Sequence, residues 1–348
     1  MKTRFLFFLR SLFSKNALTI TATVLALLVL TVSCRKPDAY LYNEGQIYGT
    51  IYHIVYESPG GKELKPDIEK RLNELDNIFS TFKSESVISK VNTNQPVELD
   101  PLFVNCFNRS QEISKISGGA FDITVAPLVN AWGFGFKHKE KITQPLIDSL
   151  LVLTGYQKVK IENGKIVKEN PGIMLDMSAI AKGYTCDLIG ELLAKKGCKN
   201  FMVEIGGEVV ARGVNKKGNV WSIGINKPDE TAFYSDKDLQ AVVKLPERAL
   251  ATSGNYRNFY VENGKKFAHT IDPKTGYPVQ HSLLSATVLA DNCMTADAFA
   301  TAFMVMGLEK SVELSKQLPE IEVYFIYSDE TGFNKVYMSD KFREHLAE

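Results

Sequence analysis

The chain has 348 residues, 45% of them hydrophobic and 23% charged, with a formal net charge of +1. That length allows one large domain or two modest ones, with a sizeable core. The near-neutral balance argues against a nucleic-acid groove or a polybasic membrane patch, while leaving room for a local site for a small anion.

Lys2, Arg4, Arg10 and Lys15 form a basic leader before the uncharged run "ALTITATVLALLVLTVS", residues 17–33. Such a run approaches the ~20 residues that span a bilayer. The small Ser33 directly before Cys34 favours export with processing instead. The pattern resembles a bacterial lipoprotein signal. That implies a signal peptide over 1–33, a lipidated Cys34 at the mature N-terminus, and a body facing the periplasm or the cell exterior. Cys106, Cys186, Cys198 and Cys293 lack the close spacing of a zinc or redox motif and read as small buried hydrophobes.

Residues 35–45 read as a tether, and 46–348 as one folded domain. "QIYGTIYHIVY", 46–56, is β-branched and aromatic and predicts a strand. Ile68, Leu72, Leu75 and Phe79 follow at helical spacing. A second helix in "PLFVNCFNRSQEISKISGG" turns Leu102, Cys106, Ile113 and Ile116 inward and stops at Gly118-Gly119. Asn163-Gly164 between two alternating runs signals a hairpin. A strand ending at Asp176 leads into a helix over 181–197. Strands then dominate: "FMVEIGGEVVARGV", "VWSIGIN", "QAVVKL", "NFYVENGKKFAHTI" with a hairpin turn at Asn263-Gly264, and "LLSATVLA". A small-residue helix covers 293–307, and "IEVYFIYS" is a late strand. Irregular alternation with frequent hairpins predicts an α+β fold with a mixed, largely antiparallel sheet and packed helices.

Standard nucleotide loops are absent. Five stretches could carry chemistry, each against a structural alternative. "GGAFDITVAPLVNAWGFG" combines Asp122 with Phe121, Trp132 and Phe134, either a flat wall for an aromatic ligand or a packed aromatic loop. "LDMSAIAKGY" puts Lys182 at a helix start, either a phosphate site or an ordinary cap with an exposed lysine. Gly206-Gly207 is either a bulge or a close backbone approach to a ligand. Asp297 and Thr301 share a helix face; their oxygens suit a hard cation such as Mg²⁺, or simply belong to a first helical turn. "HTIDPKTGYP" places His269 beside a turn that either holds chemistry or only shapes the chain.

Together, "GGAFDITVAPLVNAWGFG", "DMSAIAKGY", "VEIGGE", "ATSGNYRN", "HTIDPKTGYP" and "TADAFATAFMVMG" resemble, in order, the ApbE family of flavin transferases. The resemblance runs from about Gly45 to Gly307. It implies a T-fold-related α+β domain that moves the FMN part of FAD to a threonine or serine of a target flavoprotein, releasing AMP. It assigns Mg²⁺ to Asp297, Thr301 and the Ala179 carbonyl. It assigns FAD contacts to Tyr48, Phe82, Ala120, Phe121, Asp122, Asp176, Lys182 and Ile271, and a catalytic part to His269. Tyr48 stands where the family often has Met, Ile123 where Pro is frequent and Asn255 where Asp is frequent. The implied partners are FAD and acceptor flavoprotein subunits of membrane redox complexes, with the membrane reached through the N-terminal lipid and no nucleic acid involved. A Mg²⁺-dependent FAD pyrophosphatase and a non-catalytic FAD-binding lipoprotein use the same residues and are the alternatives.

Overall fold

In a computed structural model, residues 37–137, 139–228, 239–255, 259–262 and 265–347 are described. The leader, Cys34 and the Asn263-Gly264 turn lie outside the described residues. The first element corrects the expected tether. Strand β1 (Ala39–Ile47) pairs residue for residue with β2 (Thr50–Ser58), from Ala39↔Ser58 to Ile47↔Thr50. Four residues, 35–38, remain between Cys34 and the sheet. "QIYGTIYHIVY" is therefore the tip of a hairpin, not one strand. Tyr48 (φ 54°) and Gly49 (φ 73°) both take positive φ, as a two-residue turn of the I′ kind requires.

Helix α1 (Lys65–Phe79) buries Ile68, Leu72, Leu75 and Phe79 as their spacing predicts. A short α2 (Val87–Asn92) leads to α3 (Pro101–Ile116). In α3, Cys106 and Ile113 face inward, but Ile116 is 40% exposed and Leu102 only half-buried. The inward stripe holds Ser110 and Ser114 instead, each hydroxyl donating to a carbonyl one turn back (2.7 and 2.8 Å). Helices α4 (Ala126–Ala131) and α5 (Gln144–Leu151) follow, then the hairpin β3 (Val159–Glu162) and β4 (Lys165–Lys168). Asn163 (φ 50°) and Gly164 (φ 71°) make its turn as read from the sequence.

Residues 169–177 form no strand, so none ends at Asp176, and α6 (Ser178–Lys195) starts three residues earlier than expected. Asp176 Oδ1 accepts from Ser178 N (2.8 Å), so an aspartate turn launches the helix. Strands β5 (Phe201–Ile205), β6 (Glu208–Arg212), β7 (Trp221–Asn226), β8 (Leu239–Leu245), β9 (Ala249–Gly254), β10 (Phe259–Glu262), β11 (Lys265–Ala268) and β12 (Leu283–Ala290) come next. The chain ends with α7 (Cys293–Met306), α8 (Leu308–Ser315), β13 (Glu322–Ser328), β14 (Asn334–Met338) and α9 (Asp340–Arg343).

The main sheet has eight strands in the order β1-β2-β5-β6-β9-β12-β13-β14, and every ladder in it is antiparallel. Helix α6 packs on β5 and β6, and α7 on β9 and β12, so the two helices cross on one face. The largest apolar cluster lies there, with Phe299, Phe303 and Phe325 at its centre. The other face carries Val209, Ala211, Leu250, Tyr324 and Ile326 against Trp221, Val243 and Phe342. The sheet is thus the α+β, antiparallel architecture expected from the hairpin-rich sequence.

Candidate active site

The crossing of α6 and α7 is tight because its residues are small. Ala296, Ala298, Ala300 and Ala302 are each no more than 1% exposed. At Gly183 a Cβ would lie 2.3 Å from the Cys293 carbonyl oxygen and 2.8 Å from Asp297 Cβ. Asp187 on α6 fixes the angle, because its two oxygens accept from Cys293 N (2.8 Å) and Met294 N (2.9 Å) at the start of α7. These are free N–H groups of a helix terminus, where a carboxylate is well placed. Asn292 caps the same helix through Thr295 N (2.9 Å). Arg109 of α3 reaches the Thr295 hydroxyl (3.0 Å).

Asp297 is carried into the crossing on α7 and is 3% exposed. Its Oδ2 accepts from Gly183 N at 3.0 Å. That amide is the one whose partner in a regular helix is the Ala179 carbonyl. The Asp297 carboxylate and the Ala179 carbonyl therefore address the same N–H from two helices. Thr301 lies one turn beyond Asp297 and is half-buried; among the described residues no hydrogen bond engages its hydroxyl. Lys182 Nζ sits 3.7 Å from Asp297 Oδ1 and 3.1 Å from Glu208 Oε1. It also donates to the Ser178 carbonyl (3.2 Å).

Burial pushes the Asp297 and Glu208 carboxyls up, and the nearby ammonium of Lys182 opposes that rise in each. Burial alone would lower Lys182, but the charges of Asp297 and Glu208 outweigh it and hold the ammonium above its ordinary value. Two buried acids share one ammonium, and Glu208 Oε2 is buried with no hydrogen-bond partner. A carboxylate, a hydroxyl and a carbonyl with a local excess of negative charge fit a hard divalent cation. Among the described residues no group of three or more His, Cys, Asp or Glu could hold a metal by itself, so the carbonyl and hydroxyl oxygens are needed.

Tyr48 joins this cluster, its hydroxyl lying 3.1 Å from Thr185 Oγ1 on α6. Burial raises its pKa, so it remains a neutral phenol. Asp176 is half-buried, with Oδ1 engaged at the start of α6. Phe82 is 79% exposed and meets Phe136 edge-on, with ring centroids 6.4 Å apart.

Of the two readings of the aromatic stretch, a ligand wall and a packed aromatic loop, the side chains of residues 120–122 show the packing of the second. Ala120 and Phe121 are buried. Asp122 is buried too, and both of its oxygens are spent on the chain: Oδ1 accepts from Thr124 N (2.8 Å) and its hydroxyl (2.6 Å), and Oδ2 from Tyr156 N (2.7 Å). The Phe121 and Asp122 side chains are thus packed into the fold itself. Trp132 stacks on Phe267 (5.4 Å), Tyr260 on Phe267 (5.4 Å) and Phe134 on Tyr260 (5.3 Å). His269 is half-buried, edge-on to Phe134 at 6.4 Å.

The turn after His269 is heavily bonded. Asp272 N donates to Tyr277 O (2.9 Å), Gly276 N to Asp272 O (2.8 Å) and Val279 N to Thr270 O (3.0 Å). Trp132 Nε1 donates to Gly276 O (2.8 Å), and Ile271 is buried beside Trp132, Leu128 and Ile147. Gly276 has φ 74°, and a Cβ there would lie 2.7 Å from Ile147. Asp272 accepts from Lys274 N (2.8 Å), so this carboxylate shapes the turn that follows the histidine.

Glu208 and Asp187 escaped the sequence reading. Glu208 follows the Gly206-Gly207 pair, where the glycines drew attention away from the acid. Asp187 lies one helical turn beyond Gly183, and an acid on a small-residue face was the available signal.

A profile of the ApbE family matches residues 48–325. The chain is 34% identical over 332 residues to an FAD:protein FMN transferase of Vibrio cholerae, covering 93% of this chain and 98% of the relative. It is 36% identical over 324 residues to one of Haemophilus influenzae, covering 88% and 92%. The fold superposes on the flavin transferase ApbE of Vibrio cholerae with TM-score 0.80 at 33% identity, over 89% of this chain and all of that one. An ApbE protein of Thermotoga maritima gives TM-score 0.78 at 27% identity, again over 89% of this chain and all of that one.

Proposed function

Because this chain belongs to the ApbE family, we propose that it transfers the FMN moiety of FAD to a hydroxyl of a target flavoprotein, releasing AMP. The observation that carries the site is the α6–α7 crossing, where the buried Asp297 lies beside Lys182 and accepts from the Gly183 N–H. In the reaction a threonine or serine oxygen attacks the phosphorus of the FMN half. The bond from that phosphorus to the bridging oxygen breaks, and AMP leaves with the electron pair. Positioning and charge neutralisation supply most of such catalysis. Asp297, Thr301 and the Ala179 carbonyl would hold Mg²⁺, which when bound withdraws charge from the diphosphate.

The other residues orient and protect. Lys182 offers a charged donor to the diphosphate. Tyr48, Phe82, Ala120, Phe121 and Asp122 are the further flavin contacts that the family resemblance assigns, and Asp176 sets the first turn of α6. Ile271 anchors the turn behind His269. A neutral imidazole at His269 takes the proton of the attacking hydroxyl, and the bonded turn keeps that base in place. The basic leader and Ser33-Cys34 support an exported, lipid-anchored enzyme whose acceptors are flavoprotein subunits of membrane redox complexes.

The test mixes the protein with FAD, Mg²⁺ and an acceptor domain and follows the covalent gain of FMN by mass. His269→Ala should slow transfer by ~10²–10⁴-fold while FAD binding is retained. Retained binding with near wild-type transfer would remove the base assignment. AMP released equally fast without acceptor would remove the transferase reading.

A further inference from the structure

The charge balance at the crossing carries a further step, which rests on the cation site proposed above. Asp297 and Glu208 are 3% and 4% exposed, and Lys182 lies between them. The ammonium is nearer to Glu208 (3.1 Å) than to Asp297 (3.7 Å). The backbone of Glu208 is tied to α6 as well, because Cys186 Sγ, one turn beyond Lys182, donates to the Glu208 main-chain carbonyl at 3.2 Å. Glu208 Oε2 is buried without a hydrogen-bond partner, so this side chain has capacity in reserve.

A cation at Asp297 repels an ammonium beside it. A buried charge that loses its partner is strongly unfavourable. Lys182 therefore needs a second carboxylate on which to settle when Asp297 is taken. We propose that Glu208 is a positioning residue: it holds the Lys182 ammonium away from Asp297, leaving Asp297 open to a cation and Lys182 aimed at the diphosphate. Without it, Lys182 closes on Asp297 and competes with the metal. In this role Glu208 acts through Lys182 rather than on the cation itself.

Mn²⁺ binding to the protein in the absence of FAD, followed by the electron paramagnetic resonance of the free ion, tests this. Glu208→Gln should weaken Mn²⁺ binding by about threefold or more. In a Lys182→Met background the same substitution should change Mn²⁺ affinity little, because the competitor is gone. Glu208→Asp, which keeps the charge, should recover most of the loss. An equal loss with and without Lys182 would overturn the proposal in favour of direct attraction between Glu208 and the cation. A lowered melting temperature with unchanged Mn²⁺ affinity would overturn it in favour of a structural brace. Wild-type binding that is absent, or indifferent to Asp297→Asn, would instead bring down the cation site on which the proposal stands.

Discussion

Two buried ionic clusters lie on opposite faces of the eight-stranded sheet, and they balance their charges differently. Alternation along β13 puts Glu322 on the face of Tyr324 and Ile326, while Glu208 faces away from Val209 and Ala211, toward α6. Glu322 lies beside an arginine and a histidine, and the same arginine also reaches the exposed Asp291 (3.6 Å). Arg248 Nη1 lies 3.0 Å from Oε1, and His345 Nε2 lies 3.2 Å from Oε2. That cluster pins the C-terminal segment, which also pairs through Lys244 N to His345 O (2.7 Å) and Ala347 N to Val242 O (2.8 Å). At the α6–α7 crossing one ammonium lies between two acids that are both buried, and each cluster leaves one buried carboxylate oxygen, Glu208 Oε2 and Glu322 Oε2, without a hydrogen bond. The Glu322 cluster ties the end of the described chain to the sheet. The Glu208 cluster gathers two buried carboxylates around one lysine, and the proposed cation site draws on that excess of negative charge.

The comparison breaks most visibly by removing one member of each cluster. Asp297→Ala should lower FMN transfer by at least about 10²-fold. Arg248→Ala should cost about 3 kcal/mol of stability, by stranding Glu322, yet leave transfer per folded molecule near wild type. Parallel transfer rates and denaturant titrations check both, and a loss of transfer in Arg248→Ala would erase the distinction. A smaller effect sharpens the crossing itself. Gly183→Ala puts a methyl against the Cys293 carbonyl and Asp297, and should destabilise by ~1–3 kcal/mol. It should weaken Mn²⁺ binding as well, since the helices must separate. Unchanged melting and Mn²⁺ affinity would show that the contact is slack.

A further effect concerns pH. Burial lifts the Asp187 carboxyl to about 7, against the N–H groups of Cys293 and Met294 that favour its charge. A folded-state value above the unfolded one means the folded chain binds more protons between about pH 4 and about pH 7. Stability contributed by this group is therefore present below that window, is lost as pH rises through it, and is flat above. Melting temperatures across pH should fall in wild type relative to Asp187→Asn within the window, and parallel curves would mean that the group does not titrate there.

Much of this was legible in the residues. Asn163-Gly164 marked its hairpin, because positive φ restricts the choice of residues. The small residues of 293–307 marked a helix, and the spacing of Asp297 and Thr301 put both on one of its faces. What stayed hidden depends on partners distant in sequence. Strand β1 mixes Asn43, Glu44 and Gly45 with its aromatics and declares itself only by pairing with β2. Ser110 and Ser114 replace Leu102 and Ile116 on the inner stripe of α3, because their hydroxyls are satisfied by the helix's own carbonyls. The side chain of Asp122 looked available to a ligand, and is instead consumed by Thr124 and Tyr156. Glu208 gained meaning only when the fold brought it to Lys182, because no local pattern records which acid lacks a counter-charge.

The most direct test of the account is anomalous diffraction from crystals grown with Mn²⁺ and FAD. The account predicts a peak within about 2.5 Å of an Asp297 carboxylate oxygen, Thr301 Oγ1 and the Ala179 carbonyl oxygen. A peak bound elsewhere, with those three atoms free of metal, would contradict it.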